Sequence, residues 1–397
     1  MDKVKAGVIG LGQRTGALIK ELFNHGELSE VVAICDLFED RVQERKEIIK
    51  EKYGKEVWGT THPYELIDNP EVNTVIICSS WESHIPLSIY AMKAGKAVGC
   101  EVAGAYSIKQ CWDLVKTYEQ TKTPIMFLEN VCYGKRPLML LNMVRQGFFG
   151  KVMHVDGAYE HDLRGEIADG VKLRHYRLRN YLNRNCENYP THALGPLAQI
   201  LNINKGNRFL KLSSFSSKAR GLEEFIKTQR PEDLESQSLR FKQGDVITTV
   251  ITCANGETIR LNLITSTPTY SSKRMNIHGT KAFYHEDTDS ICEHGHTHDN
   301  WQTYWDNAKD YEEEWLDPIW KQYIKDGEQG GHSGMDYLCM RDFITCLIED
   351  KPMPIDVYDM AAWMAVTPLS ENSIANGGKS VEFPDFTNGR WIYSDAF

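Results

Sequence analysis

The chain lacks a CxxC pair. Its ten cysteines stand singly, from Cys35 to Cys346, so the spacing of a zinc knuckle or a thioredoxin-type site is missing. Cys35 and Cys78 fall inside apolar stretches, where reduced core thiols belong, and a cytoplasmic setting is expected. A basic excess is also lacking: 45 Lys and Arg against 55 Asp and Glu leave a net charge of −10. That balance disfavours nonspecific binding to nucleic acid or to an anionic membrane. No stretch reaches the roughly 18 apolar residues of a membrane span. The opening "MDKVKAGVIGLG" moves into a strand without the charged, apolar, small pattern of a leader. Repeats and low-complexity segments are absent. What is present is 41% hydrophobic residues over 397 positions. At about 100–200 residues per domain, that supports two domains or three.

The first third alternates strands with helices. "VKAGVIGLG", "VVAICD", "VNTVIICSS", "AVGCEV" and "PIMFLENVC" are short buried runs, with "EVW" as a further short strand. Between them lie helical stretches such as "GALIKELFNHG" and "SIKQCWDLVKTYEQT". That alternation implies an α/β class with an N-terminal doubly wound parallel sheet of the Rossmann kind. Beyond Cys132 the strands become longer and more polar: "KVMHVDGAYEHD", "FLKLSSFSS", "DVITTVITCA", "TIRLNLITSTP" and "RMNIHGTKAFYHE". They predict a C-terminal α+β domain with an open, mostly antiparallel sheet, and helices around 136–147, 193–203, 301–326 and 335–350. The domains are placed at 1–130 and 131–397.

"VIGLGQRTG" sets Gly10 and Gly12 directly after the first strand. Two glycines let the backbone turn tightly and approach a pyrophosphate, which then sits on the next helix N-terminus. Gln13 and Arg14 complete the loop. Thr15 occupies the slot of the usual third glycine, and Gly16 falls one place late. Asp36 ends the second strand, where a carboxylate accepts ribose hydroxyls and repels a 2′-phosphate, so NAD is expected over NADP. Arg14 softens that exclusion. The competing reading is a nucleotide-free turn with Asp36 as a helix cap.

In an open parallel sheet the ligand lies across the carboxyl ends of the strands. Those ends read "SSWESH", "CEVAG" and "LENVCYG". Ser79, Trp81, Glu82, Ser83 and His84 from the first, Glu101 and Val102 from the second, and Asn130 from the third are expected at the cofactor. Trp81 and His84 are expected along ribose and nicotinamide. Glu129 is expected at the substrate. Ser83 and Ser107 also have the look of helix caps.

The glycine loop, "SSWESH" and "CEVAG" together resemble the glucose-fructose oxidoreductase and inositol dehydrogenase superfamily. Members usually carry Glu-Lys-Pro where this chain has Glu101, Val102 and Ala103, so a simple alcohol dehydrogenase would lack its usual base. The blocks "LENVCYGKRPLMLLNMVRQGFFG", "GAYEHDLR", "NYPTHALGPLAQILNINKGNRF", "HGTKAFY", "GGHSGMDYL" and "DVYDMAAWMAVTPLSENSIANGGKSVEFPDF" resemble glycoside hydrolase family 109, an NAD-dependent family whose named activity is α-N-acetylgalactosaminidase. A short segment at 165–188 and the wording of "ENYPTHALGP" depart from the family pattern, both beside the expected sugar site.

The resemblance implies glycoside cleavage with NAD as a reusable catalyst: oxidation at sugar C3, loss of the C2 proton, elimination of the C1 aglycone, addition of water and return of the hydride. Such chemistry calls for a phenol or imidazole near neutral pKa. Carry-over by position makes Tyr159, His161, Arg177, Tyr189, Pro190, Thr191, His192 and Tyr270 sugar-facing, with Tyr159 and His192 as the acid–base pair. Arg179 competes with Arg177. Pro190 fixes its own φ near about −65° and restricts Tyr189, and His192 then opens a helix whose dipole favours the neutral imidazole. The alternating His294, His296 and His298 read as an exposed polar loop, and no metal is expected. The partner is a small sugar or glycoside, with no nucleic acid and no membrane, and a homo-oligomer is expected. The alternatives are a sugar or inositol dehydrogenase that releases NADH, and a catalytically silent sugar-binding module.

Overall fold

The computed structural model describes residues 1–297, 299–327 and 332–393. The chain forms two compact units: Met1–Gly134 with Gln322–Ala362, and Lys135–Lys321 with the chain from Trp363 onward.

The first unit begins β1 (Val4–Ile9), α1 (Thr15–Asn24), β2 (Ser29–Cys35), α2 (Glu39–Tyr53), β3 (Trp58–Thr60), α3 (Pro63–Asp68), β4 (Thr74–Ile77), α4 (Trp81–Lys93), β5 (Ala97–Cys100), α5 (Ile108–Thr121) and β6 (Ile125–Phe127). All six strands are parallel, in the order β3-β2-β1-β4-β5-β6. β4, β5 and β6 are buried at every position, as strands covered on both faces must be. The strand order reverses at β1, and the carboxyl ends of β1 and β4 flank that switch point. The expected doubly wound sheet is present.

The second unit continues with α6 (Lys135–Arg145), β7 (Val152–Glu160), α7 (Arg164–Ala168), α8 (Tyr176–Asn183), α9 (Thr191–Ile200), β8 (Phe209–Ser216), α10 (Gly221–Gln229), α11 (Leu234–Gln237), β9 (Val246–Cys253), β10 (Thr258–Ile264), β11 (Asn276–Gly279), β12 (Ala282–His285), β13 (Ser290–Glu293) and α12 (Glu312–Trp315). α13 (Pro318–Asp326), α14 (Met335–Glu349), α15 (Val357–Ala375) and β14 (Val381–Glu382) follow. The sheet order is β13-β12-β11-β7-β10-β9-β8-β14. Among the described residues of this sheet only β7 and β10 pair in parallel, so it is mostly antiparallel, as expected. α9 packs on β7 over Gly157, where a Cβ would stand 2.8 Å from Leu197 Cδ1 and 3.2 Å from the Ala193 carbonyl oxygen, so glycine lets the helix sit close without displacing it.

One division of the sequence differs. The sequence pattern puts residues 322–362 in the second domain, yet they pack with the first unit. The cause is α14, which packs on α1 and on the 3₁₀ turn Asn130–Tyr133 and buries Leu338, Phe343 and Ile344. Among the described residues, no helix is long and apolar enough to cross a membrane.

Candidate active site

In the first unit, the glycine loop is forced by a close approach. Gly10 has φ 91°, and a Cβ there would stand 2.5 Å from Ser79 Cα. Gly12 opens outward, with nothing within 4 Å of a Cβ. Thr15 is fully buried, and its hydroxyl donates to the Gly10 carbonyl. The residue standing in for the third glycine therefore staples the loop. Among the described residues no side chain caps α1, although the Thr15 and Ala17 N–H groups turn back onto the Gly12 and Arg14 carbonyls at 3.3 and 3.2 Å, so the positive end of the helix is left without a side-chain cap. Asp36 accepts from the Leu11 N–H at 2.8 Å and the Phe38 N–H at 3.0 Å, and Arg41 Nη1 lies 3.6 Å away. The acid at the second strand end thus ties the glycine loop to β2. The loop, the open Gly12 and the uncapped helix fit a dinucleotide.

Arg14 behaves otherwise than expected. Its guanidinium is engaged by two carboxylates of its own unit. Its Nη1 and Nη2 donate to Asp336 at 2.6 and 2.7 Å, and its Nε donates to Glu101 at 3.0 Å. Asn130 Nδ2 donates to Asp336 at 2.7 Å, and His332 Nδ1 lies 2.7 Å from the same carboxylate. Burial alone would raise the Asp336 carboxyl, but the hydrogen bonds from His332 and Arg14 outweigh it and hold it well below the usual carboxylate range. The same bond raises His332. Glu101 and Asn130, expected on the cofactor, therefore also anchor this hub. Asp336 and His332 had no local signal in the sequence.

The other strand ends divide. Trp81 is 3% exposed and His84 1% exposed, so both fill the interior instead of lining an open ribose site. Burial pushes His84 down to about 4, and the neutral ring's Nε2–H donates to the Ser79 carbonyl at 2.9 Å. Ser83 is not the cap of α4. Its hydroxyl donates to the Ser80 carbonyl and lies 2.7 Å from Ser79 Oγ. Ser107 does cap α5, accepting from the Gln110 N–H. Glu82 lies 3.4 Å from the Tyr106 hydroxyl, Val102 is buried and Gln13 is exposed. Glu129, expected at the substrate, is fully buried and accepts from the Val131 N–H at the start of the 3₁₀ turn.

In the second unit, the end of β7, α8 and the start of α9 bring seven expected residues together. Tyr159 Oη lies 3.3 Å from His161 Nδ1, and Tyr189 Oη lies 3.3 Å from His192 Nε2. The Tyr159 ring centroid is 4.5 Å from that of Tyr189 and 5.8 Å from that of His192. The Arg177 guanidinium carbon stands 5.1 Å over the Tyr189 ring, and its Nε is 2.8 Å from Glu166. Arg179 is exposed, so Arg177 is the arginine of the cluster. Thr191 opens α9 and is fully buried, with Pro190 as the residue before it. His161 is lowered by burial and by Lys273 and Arg177. Tyr270 does not join: it is 92% exposed in the connection after β10. Lys273, which the sequence reading missed, places Nζ 5.0 Å over the Tyr159 ring.

Glu187 is a second missed group. It is 1% exposed, its carboxyl accepts from the Tyr189 N–H, and burial pushes it up to about 8. Its backbone is clamped by Ser370 and Thr367 of α15. Of the three alternating histidines, His296 stacks on Tyr304 with centroids 4.0 Å apart, His294 follows β13, and His298 lies outside the described residues.

Residues 133–393 match the family described as glycosyl hydrolase 109, C-terminal domain, and residues 4–128 match the oxidoreductase family with an NAD-binding Rossmann fold. A glycosyl hydrolase family 109 protein of Stenotrophomonas maltophilia (strain K279a) is 39% identical over 98% of this chain and 90% of its own length. An alpha-N-acetylgalactosaminidase of Tannerella forsythia is 36% identical over 98% of this chain and 87% of its own. Among solved structures, a levoglucosan dehydrogenase in complex with NADH and levoglucosan superposes with a TM-score of 0.72 at 16% identity, covering 96% of this chain and 100% of that one. At that identity the likeness is one of fold.

Proposed function

The chain belongs to glycosyl hydrolase family 109, and on that premise we propose that it is an NAD-dependent glycosidase acting on α-N-acetylgalactosaminide-like glycosides with no net redox change. The observation that carries this reading is the cluster of Tyr159, Tyr189 and His192: the Tyr189 hydroxyl is 3.3 Å from His192 Nε2, and the Tyr159 ring packs against both, with its own hydroxyl 3.3 Å from His161 Nδ1. An ordinary glycosidase works with a pair of carboxylates. Here Glu166 is engaged with Arg177, and the acid–base groups are of the kind that removes a proton from carbon. The name of the Tannerella relative supports the sugar class.

The first unit is assigned the dinucleotide and the second the sugar. Gly10, Gly12 and the N-terminus of α1 would hold the pyrophosphate, and Asp36 the adenosine ribose. When bound, NAD supplies reversible removal of hydride from sugar C3, which acidifies the C2 proton. Tyr159 and His192 are the proposed groups that take that proton and return it. Tyr189 orients His192 through its hydroxyl. Arg177 and Lys273 supply positive charge beside the rings, where negative charge develops as the proton leaves. The aglycone departs from C1 and water adds in its place.

The test is turnover of α and β nitrophenyl hexosides and hexosaminides, with absorbance recorded for both nitrophenol and NADH. Nitrophenol release without accumulating NADH is expected. NADH in proportion to sugar consumed would establish the dehydrogenase reading instead.

A further inference from the structure

Lys273 is fixed beside the reactive rings by long-range pairing. After β10 the chain returns along the end of β7, and Ser272 and Glu160 exchange both backbone hydrogen bonds at 3.1 Å. The Ala158 N–H donates to the Lys273 carbonyl. Arg274 follows at φ 43°, a left-handed conformation uncommon outside glycine, and its Nε lies 3.0 Å from Glu160. The next amide, Met275 N–H, donates to Glu286. Lys273 is thus held on both sides, half-buried, with its ammonium 5.0 Å over the Tyr159 ring.

We infer that Lys273 is a positioning residue of the proton-transfer step, its ammonium stabilising negative charge on the Tyr159 oxygen. The inference rests on the reading of Tyr159 as an acid–base group. In that step the phenolate oxygen forms an O–H bond as the sugar C2–H bond breaks, and the electron pair stays on the sugar as an enolate. The cation is present before and after, so it requires no other reactant.

Titratable and charged groups face Tyr159 from several elements. His161 comes from the end of its own strand, Tyr189 and His192 from the start of α9, Arg177 from α8, and Lys273 from the connection before β11. The charge of Arg177 is shared with Glu166 at 2.8 Å. Lys273 also reaches the neighbouring imidazole: burial lowers His161 most, and Lys273 is the next largest cause. The ammonium therefore acts on the titrating groups of the cluster.

The test compares Lys273→Met and Lys273→Arg in the wild-type and Tyr159→Phe backgrounds, with kcat and KM for aglycone release measured across pH. Removing the cation raises the pH at which the base ionises. Lys273→Met is expected to lower kcat by about 10–100-fold and to move the acid limb of kcat upward by about one pH unit, the worth of a unit charge beside the ring in a partly screened site. KM should change little, and Lys273→Arg should restore most of both effects. In Tyr159→Phe, adding Lys273→Met should cost nothing further. An unmoved acid limb in Lys273→Met, or equal impairment by Arg and Met, overturns the role of Lys273 while leaving Tyr159 as the base. A wild-type rate in Tyr159→Phe overturns the reading of Tyr159 itself.

Discussion

Glu187→Gln should stabilise the protein, and increasingly so as pH rises. Glu187 is 1% exposed, and its carboxyl accepts one hydrogen bond, from the Tyr189 N–H. Its Oε2 is buried with no hydrogen-bond partner among the described residues. Burial raises it from 4.5 to about 8 in the folded state. A carboxyl raised in this way leaves stability untouched below about pH 4.5 and removes it progressively until pH passes about 8. The gap of roughly 3.5 pH units is worth about 5 kcal/mol at about 1.4 kcal/mol per unit. Glutamine keeps the shape and the acceptor for the Tyr189 N–H without the ionisation. The variant should therefore exceed the wild type by under about 1 kcal/mol at pH 5 and by about 3–5 kcal/mol at pH 8.5. Urea unfolding followed by tryptophan fluorescence and circular dichroism at several pH values measures the margin. A margin that stays constant with pH, or a wild type more stable at pH 8.5, would refute the account of Glu187 as a buried, protonated acid.

Asp36→Ala removes the acceptor for the Leu11 and Phe38 N–H groups. It should weaken NAD binding by about 1.5–3 kcal/mol and narrow the preference over NADP, as titration calorimetry with both cofactors would show. Unchanged affinity for both would count against the assignment. Asp336→Ala leaves Arg14 half-paired and should destabilise the first unit by about 3–5 kcal/mol in urea unfolding. A loss under about 1 kcal/mol would show that the hub is dispensable. Tyr159→Phe and His192→Ala should each slow aglycone release by about 10²–10⁴-fold, with circular dichroism unchanged. Activity within about threefold of wild type in either would remove that residue from the acid–base pair.

Local signals carried much of the fold. β1, the glycine loop and Asp36 at the end of β2 were legible because strand period, turn chemistry and charge change within a few residues of one another. Tyr189 and His192 are legible because Pro190 follows the tyrosine directly and Pro190 and Pro196 bracket the histidine at the start of an apolar run. α15 leaves no helical signature in the sequence. Met360 through Val366 are all buried, so no polar face marks a period, and Pro368 lies within the helix. Trp81 and His84 were assigned to the cofactor from their position at a strand exit. Yet Trp81, His84, Ile85, Ser88 and Met92 form one buried helical stripe, a pattern that was present in the sequence and points inward. The pairing of Arg14 with Asp336 spans 322 positions, and Lys273 reaches Tyr159 only because Ser272 pairs with Glu160. Neither contact leaves a trace in nearby residues.

The redox-elimination course is tested most directly by running turnover in D₂O and reading C2 of the released sugar by NMR and mass spectrometry. Removal of the C2 proton and its return from solvent-exchanged Tyr159 or His192 should place deuterium at C2. Displacement at C1 by carboxylates leaves the C2 proton in place. Product that retains hydrogen at C2 after full turnover would contradict the account, whatever the variants of Tyr159 and His192 do.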